Sequence, residues 1–272
     1  MTYNKSDKNS NEKNWRTLFI TGAITTIIAL GGIFLDVIVG SVTGGNLSAV
    51  PQTASEKFTE LHNNPALGLY NLDLLNLINQ LLLIPGYLAL FAAHRKTNTA
   101  FASLALIVFL TGTVIFVTTN TALPMLELSN RFFATTSEQQ KVLLAAAGEA
   151  MLARGLHGSL GVFIGFVLPN IAGIIMSLVM WKERIFSRTT AFCGISGSAL
   201  IVVYLLLVTF IPAVKKTATM FALPGGLLTT AWMILFTLKL FQLGRQNLPL
   251  NHSDAAAKII RKSDRVILSN KI

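Results

Sequence analysis

Charge is what this chain has least of. Asp, Glu, Lys and Arg make up 12% of its 272 residues, roughly half of the ~25% usual for a soluble domain. That scarcity argues against a water-exposed globular domain. Cysteine is nearly absent too: the single Cys193 excludes an internal disulfide and any multi-cysteine metal site, and in an apolar segment it reads as a small buried hydrophobe. The four histidines form no HExxH and no i,i+4 pair. His62 and His157 lack metal-ligand spacing, and His94 and His252 are expected to be solvated. No metal and no cofactor is therefore assigned. There is no P-loop, no dinucleotide fingerprint and no GxSxG elbow, so no catalytic residue is assigned either. Basic residues outnumber acidic ones 22 to 12, but they are scattered between apolar blocks. That pattern excludes a nucleic-acid face and suits membrane topology, with anionic head groups as an added attraction.

What the chain does have is apolar length. Hydrophobic residues reach 52% and the mean hydropathy is +0.60. They fall in blocks of about 20, the number of helical residues that crosses a ~30 Å hydrocarbon core. The reading is an all-α fold, an integral membrane bundle of six transmembrane helices. These run over about Thr17 to Gly40, Gly68 to Ala93, Ala100 to Thr119, Leu156 to Met180, Ala191 to Pro212 and Phe221 to Leu243. The first block is too long for a signal-peptide core. Residues 1–16 are polar and expected to be disordered. The 41–67 loop is rich in Gly, Ser, Thr and Asn, with a short surface helix over Ala54 to Leu61. The basic tail 244–272 includes IIRKSDRVIL, which suits a short amphipathic segment on the membrane surface.

The 120–154 connection between helices three and four is predicted to be helical. Glu127 and Arg131 are spaced for an i,i+4 pair, and Ser137-Glu138-Gln139-Gln140 has the form of a capping box. Of the 22 Lys and Arg residues, 16 fall on the side of the two termini. The positive-inside rule then puts both termini in the cytoplasm and makes the 120–154 connection extracytoplasmic.

Polar residues inside this apolar frame mark the candidate site. At about 100° per residue, Asp73, Asn76 and Gln80 share an arc of about 60° on helix two, widened to about 120° by Asn79. A charge at mid-bilayer costs at least about 2.5–3.5 kcal/mol, so this face should turn toward protein or water. Asp36, near the end of helix one, falls at the depth of Asp73. Glu127, Arg131, Glu149, Arg154 and His157 complete a polar outer layer, with Asn120 beside them. These residues either form an outward-facing pocket or serve as helix-to-helix glue. Gly161/Gly165, Gly173/Ser177 and Gly194/Ser198 are small-xxx-small pairs that predict close helix approach. Pro169 leaves a carbonyl without its donor, which Asn170 can take up.

The runs LHNNPALGLYNLDLLNLINQLLLIPGYLAL, NTALPMLELSNRFFA and LLAAAGEAMLARG, together with the glycine-bearing helix four, resemble a bacterial multi-pass membrane family, domain of unknown function 4386, over about residues 15–240. The resemblance implies a six-helix protein of the bacterial cytoplasmic (inner) membrane. It implies no established activity and supplies no catalytic residue. Three functions stay open: a binding or transport protein with a pocket for a small molecule or ion, a membrane enzyme acting on a lipid-type substrate, and a regulatory or scaffold protein. The one partner the composition requires is the lipid bilayer.

Overall fold

The computed structural model describes residues 5–42, 53–155 and 159–245. The helices are α1 (Lys5–Val42), α2 (Ala54–Asn63), α3 (Pro65–Tyr70), α4 (Leu74–Leu82), α5 (Ile84–His94), α6 (Thr99–Thr119), α7 (Ala122–Ala134), α8 (Glu138–Gly155), α9 (Leu160–Glu183), α10 (Arg188–Phe210) and α11 (Lys215–Arg245). The described residues contain no strand. Six stretches are long and apolar enough to cross a membrane: Glu12–Val39, Leu74–His94, Thr99–Ala134, Glu138–Glu183, Arg188–Phe210 and Thr217–Arg245. Their exposed apolar side chains, such as Ile28, Ile107, Leu160 and Leu223, are what lipid tails require on the outside of a bundle.

The six spans form a ring in chain order. α1 packs on α4 and α5, α5 on α6, α6 on α9, α9 on α10 and α10 on α11, and α11 closes back on α1. Small residues set these approaches, because apolar lipid supplies no hydrophobic drive between helices and close packing must replace it. The glycine–serine pairs of α9 and α10 interlock reciprocally: Ser198 sits over Gly173, and Ser177 over Gly194. Gly165 lies against the backbone of Phe116, and Gly22 against Pro85 and Ala89. Tyr87, Phe109, Met176, Trp232 and Phe236 are buried together inside the ring. Asn170 Nδ2 donates to Phe166 O at 2.9 Å, one residue past the Gly165 carbonyl that Pro169 leaves without a donor.

A second, smaller core caps one end of the ring. Phe58, Leu61, Leu72, Met125 and Leu152 meet there, drawn from α2, α7, α8 and the turn before α4. Thr53 starts α2 with a full capping box, Thr53 Oγ1 accepting from Glu56 N and Glu56 returning to Thr53 N. The box expected at Ser137 is only half formed. Gln140 N donates to Ser137 Oγ at 3.4 Å, but the Gln140 side chain turns to Thr135. Glu127 and Arg131, both exposed, do not form the expected i,i+4 pair; the ion pairs among the described residues are Lys57–Glu60 and Lys141–Glu138. In water the Coulomb gain of such a pair barely exceeds the side-chain entropy it removes.

Two further differences from the sequence reading bear on function. α1 begins at Lys5 rather than near Thr17, so residues 5–16, read as disordered, are helical. Their last two residues are tied down at the end away from the cap: Arg16 Nε donates to Gly244 O at 3.2 Å, and the Arg95 guanidinium lies 4.0 Å over the Trp15 ring. Helix two, read as continuous from Gly68, is broken. α3 ends at Tyr70, a turn spans Asn71 to Asp73, and α4 starts at Leu74. Asp73 has φ 62, ψ 22, a left-handed conformation that Asp tolerates better than most residues. The expected loop residues 43–52, the tail from 246 onward with His252, and His157 lie outside the described residues.

Candidate functional site

Asp73 therefore heads its helix instead of lying within it. Its Oδ1 accepts from Asn76 Nδ2 at 2.9 Å, so the carboxylate and the amide share one corner of α4. Tyr70, the last residue of α3, reaches across to α1 and donates its hydroxyl to Asp36 O at 3.0 Å. Burial raises the Tyr70 phenol to about 12, helped by its bond to Asp36 and by the charges of Asp36 and Asp73. Asp36, Tyr70, Asp73 and Asn76 thus lie close together, with Tyr70 joining α3 to α1.

Beside this cluster, between the last turns of α1 and the α3–α4 corner, runs a groove of about 430 Å³. Leu35 and Val39 line one wall, and Leu67, Leu75 and Ile78 the other, with Tyr70 at the polar edge. The lining is mostly apolar, and on α1 it adjoins the exposed side chains Phe34, Leu35 and Ile38.

The DUF4386 family model, a domain of unknown function, matches residues 17–239. The chain belongs to the DUF4386 family. No curated protein and no solved structure matches it.

In this DUF4386 chain three of the remaining candidates, Gln80, Glu149 and Arg154, join separate elements, and other polar side chains do the same. Glu149 Oε1 accepts from Ala54 N at 2.7 Å and so caps α2 from α8, where a carboxylate at a helix N-terminus is favourable. Arg154 donates to Thr118 O at 2.9 Å, at the end of α6. Asn120 Nδ2 donates to Leu72 O at 3.0 Å, joining the α6–α7 break to the turn before α4. Ser129 Oγ donates to Phe58 O at 2.8 Å. Gln80 Nε2 donates to Thr113 Oγ1 at 3.2 Å, between spans two and three. Asn79 is buried against Gly32, where an added Cβ would overlap its amide. Glu127 and Arg131 are exposed on α7 and do not join the cluster. His62 stacks on Phe133 with centroids 4.1 Å apart.

Tyr70 was missed by the sequence reading, although it stands three residues before Asp73. A continuous helix would set it about 60° from Asp73, beside the polar arc, but the sequence reading followed carboxylates and amides and passed over its phenol. His94, expected to be solvated, is instead fully buried and stacked on Phe186 with centroids 5.3 Å apart. The α5–α6 turn folds it inward, under the end of α9.

Proposed function

We propose that this protein binds a membrane amphiphile. Its tail lies in the groove between α1 and the α3–α4 corner, and its hydrogen-bonding or cationic head meets Asp36, Tyr70, Asp73 and Asn76. The observation that carries this reading is the groove itself, an apolar trough with Tyr70 at its edge, whose hydroxyl meets α1 at Asp36 O. Carboxylates near a low-dielectric surface favour a positively charged partner. The reading narrows the pocket for a small molecule or ion to a ligand with a tail, and leaves Glu149 and Arg154 to brace the cap. Glu127, Arg131 and His157 are not required.

The surroundings are part of the proposal. The protein sits in the cytoplasmic membrane of a bacterium with both termini in the cytoplasm and residues 17–243 as the membrane domain, flanked by the cytoplasmic segments 1–16 and 244–272. The cap of α2, α3, α7 and α8 then lies outside, and the groove opens into the outer leaflet. The lysine and arginine bias supports this orientation.

Native mass spectrometry of the full-length protein in a mild detergent tests the reading. The wild type is expected to retain a lipid-mass adduct, and Leu75→Trp, which fills the groove, to lose it at an unchanged folded yield. Asp73→Asn keeps a residue that accepts positive φ, and is expected to change which head groups are retained. An adduct equally retained in Leu75→Trp removes the groove as the seat of binding.

A further inference from the structure

The second span carries a polar residue at every seventh position. Gln80, Tyr87 and His94 recur at this spacing, and Asp73 stands seven residues before Gln80. Seven residues make nearly two turns, so the three helical positions keep one face and stand about 10 Å apart along the axis. α4 runs into α5 without loss of register, since Leu83 N donates to Asn79 O and Tyr87 N to Leu83 O. The shared face looks into the ring.

Other polar groups fill the intervals. At the first level Gln80 meets Thr113, which is itself buried. At the second, Tyr87 Oη donates to Pro169 O at 3.4 Å. An added Cβ on Gly173 would lie 2.7 Å from Ser198 Oγ and 3.5 Å from Tyr87 Oη, so the two hydroxyls flank one point. One turn further along α9, Ser177 faces Gly194 of α10, where an added Cβ would overlap Ser177 Oγ and lie 2.7 Å from Trp232 Nε1. Both of these atoms are buried without a hydrogen-bond partner. At the last level both nitrogens of His94 are buried and unpartnered. Beside it Asn98 links the His94 carbonyl, through its backbone N–H, to the Glu183 carboxylate, through its side chain. An imidazole, an indole N–H and a hydroxyl left unpaired in an apolar interior are each costly, and internal water is the usual remedy where several polar atoms converge.

We propose that the centre of the ring is a proton path, which shares only the Asp73–Asn76 corner with the amphiphile site. Internal waters join the Asp73–Asn76 corner, through Gln80 and Thr113, to Tyr87 and Ser198, then to Ser177 and Trp232, and finally to His94 and Glu183. Gln80 and Trp232 orient waters. The hydroxyls of Thr113, Tyr87, Ser198 and Ser177 pass protons by accepting one and releasing another. His94 takes a proton on one ring nitrogen and gives up the proton of the other. Only O–H and N–H bonds break and form; one proton enters at one end for each that leaves at the other, and no oxidant or reductant takes part.

The full-length protein in liposomes loaded with a pH-sensitive dye, under a potassium diffusion potential set by valinomycin, tests this. The wild type is expected to acidify the lumen faster than protein-free vesicles. Tyr87→Phe keeps the ring stacked on Phe109 and removes the hydroxyl, and His94→Gln removes the imidazole; each is expected to lose the excess rate while eluting as the wild type does in detergent. Should either variant fail to fold, Ser177→Ala and Trp232→Phe replace it, with loss of part of the excess expected. A wild-type rate equal to that of protein-free vesicles overturns the proposal. So does an excess that survives in the folded variants.

Discussion

Tyr70 shows how much one side chain can report about its surroundings. Its hydroxyl joins α3 to α1 through Asp36 O, and burial first, then Asp36 and Asp73, raise it from 10.0 to about 12. Between those values the unfolded chain loses the phenol proton while the folded one keeps it. Stability therefore falls as pH rises from about 10 to about 12. Ultraviolet difference titration of wild type against Tyr70→Phe is expected to reveal a phenol with a midpoint near 12. In an Asp36→Asn, Asp73→Asn background that midpoint should move back toward 10.0. An unchanged midpoint would mean that the carboxylates do not act on Tyr70. Asp73 carries the same lesson in its backbone: its left-handed φ was not legible, since nothing in LYNLDLL marks a break as Gly or Pro would.

At the level of the element, helix contacts are decided by where a glycine looks. A methyl group on Gly194 would meet Ser177 and Trp232, whereas one on Gly226 meets nothing within 4 Å. Gly194→Ala is expected to destabilise the bundle by about 1–3 kcal/mol through overpacking. Gly226→Ala should be neutral or stabilising by up to about 1 kcal/mol, because it removes backbone freedom from a helix with open space beside it. Thermal unfolding in detergent distinguishes the two, and equal shifts would contradict the interlock of α9 and α10. The small-xxx-small pairs of these helices were legible because a four-residue spacing puts both members on one face. The partner that each glycine faces was not. Helix two fared differently. Its apolar content pointed to one span, but the break between α3 and α4 is held by Tyr70, which donates to Asp36 O on α1, and by Asn120 at the end of α6, which donates to Leu72 O.

The whole molecule is a closed ring with a cap at one end, and its sidedness is open to a direct measurement. In a Cys193→Ala background, Glu138→Cys on the cap is expected to react with a membrane-impermeant maleimide on intact cells. Arg184→Cys, at the opposite end of α9, should react only after the membrane is opened. The reverse pattern would invert the orientation argued from the lysine and arginine bias.

By itself the sequence determined that the chain is a multi-pass all-helical membrane protein, and it marked the carboxylates and amides of the first two spans but not Tyr70, Tyr87, Thr113 or Trp232. Hydropathy over some 20 residues is a local property, and a membrane accepts only closed backbone hydrogen bonding, so span and class follow from composition alone. The tertiary structure alone decided what each polar side chain does. Glu149, Arg154 and Gln80 were equal candidates with Asp36 and Asp73 until the fold gave them Ala54, Thr118 and Thr113 as partners. His94 looked solvated until α9 and Phe186 covered it. A polar residue in an apolar chain must find a partner, but which one it finds depends on residues distant in sequence. Only the closed ring brings those together.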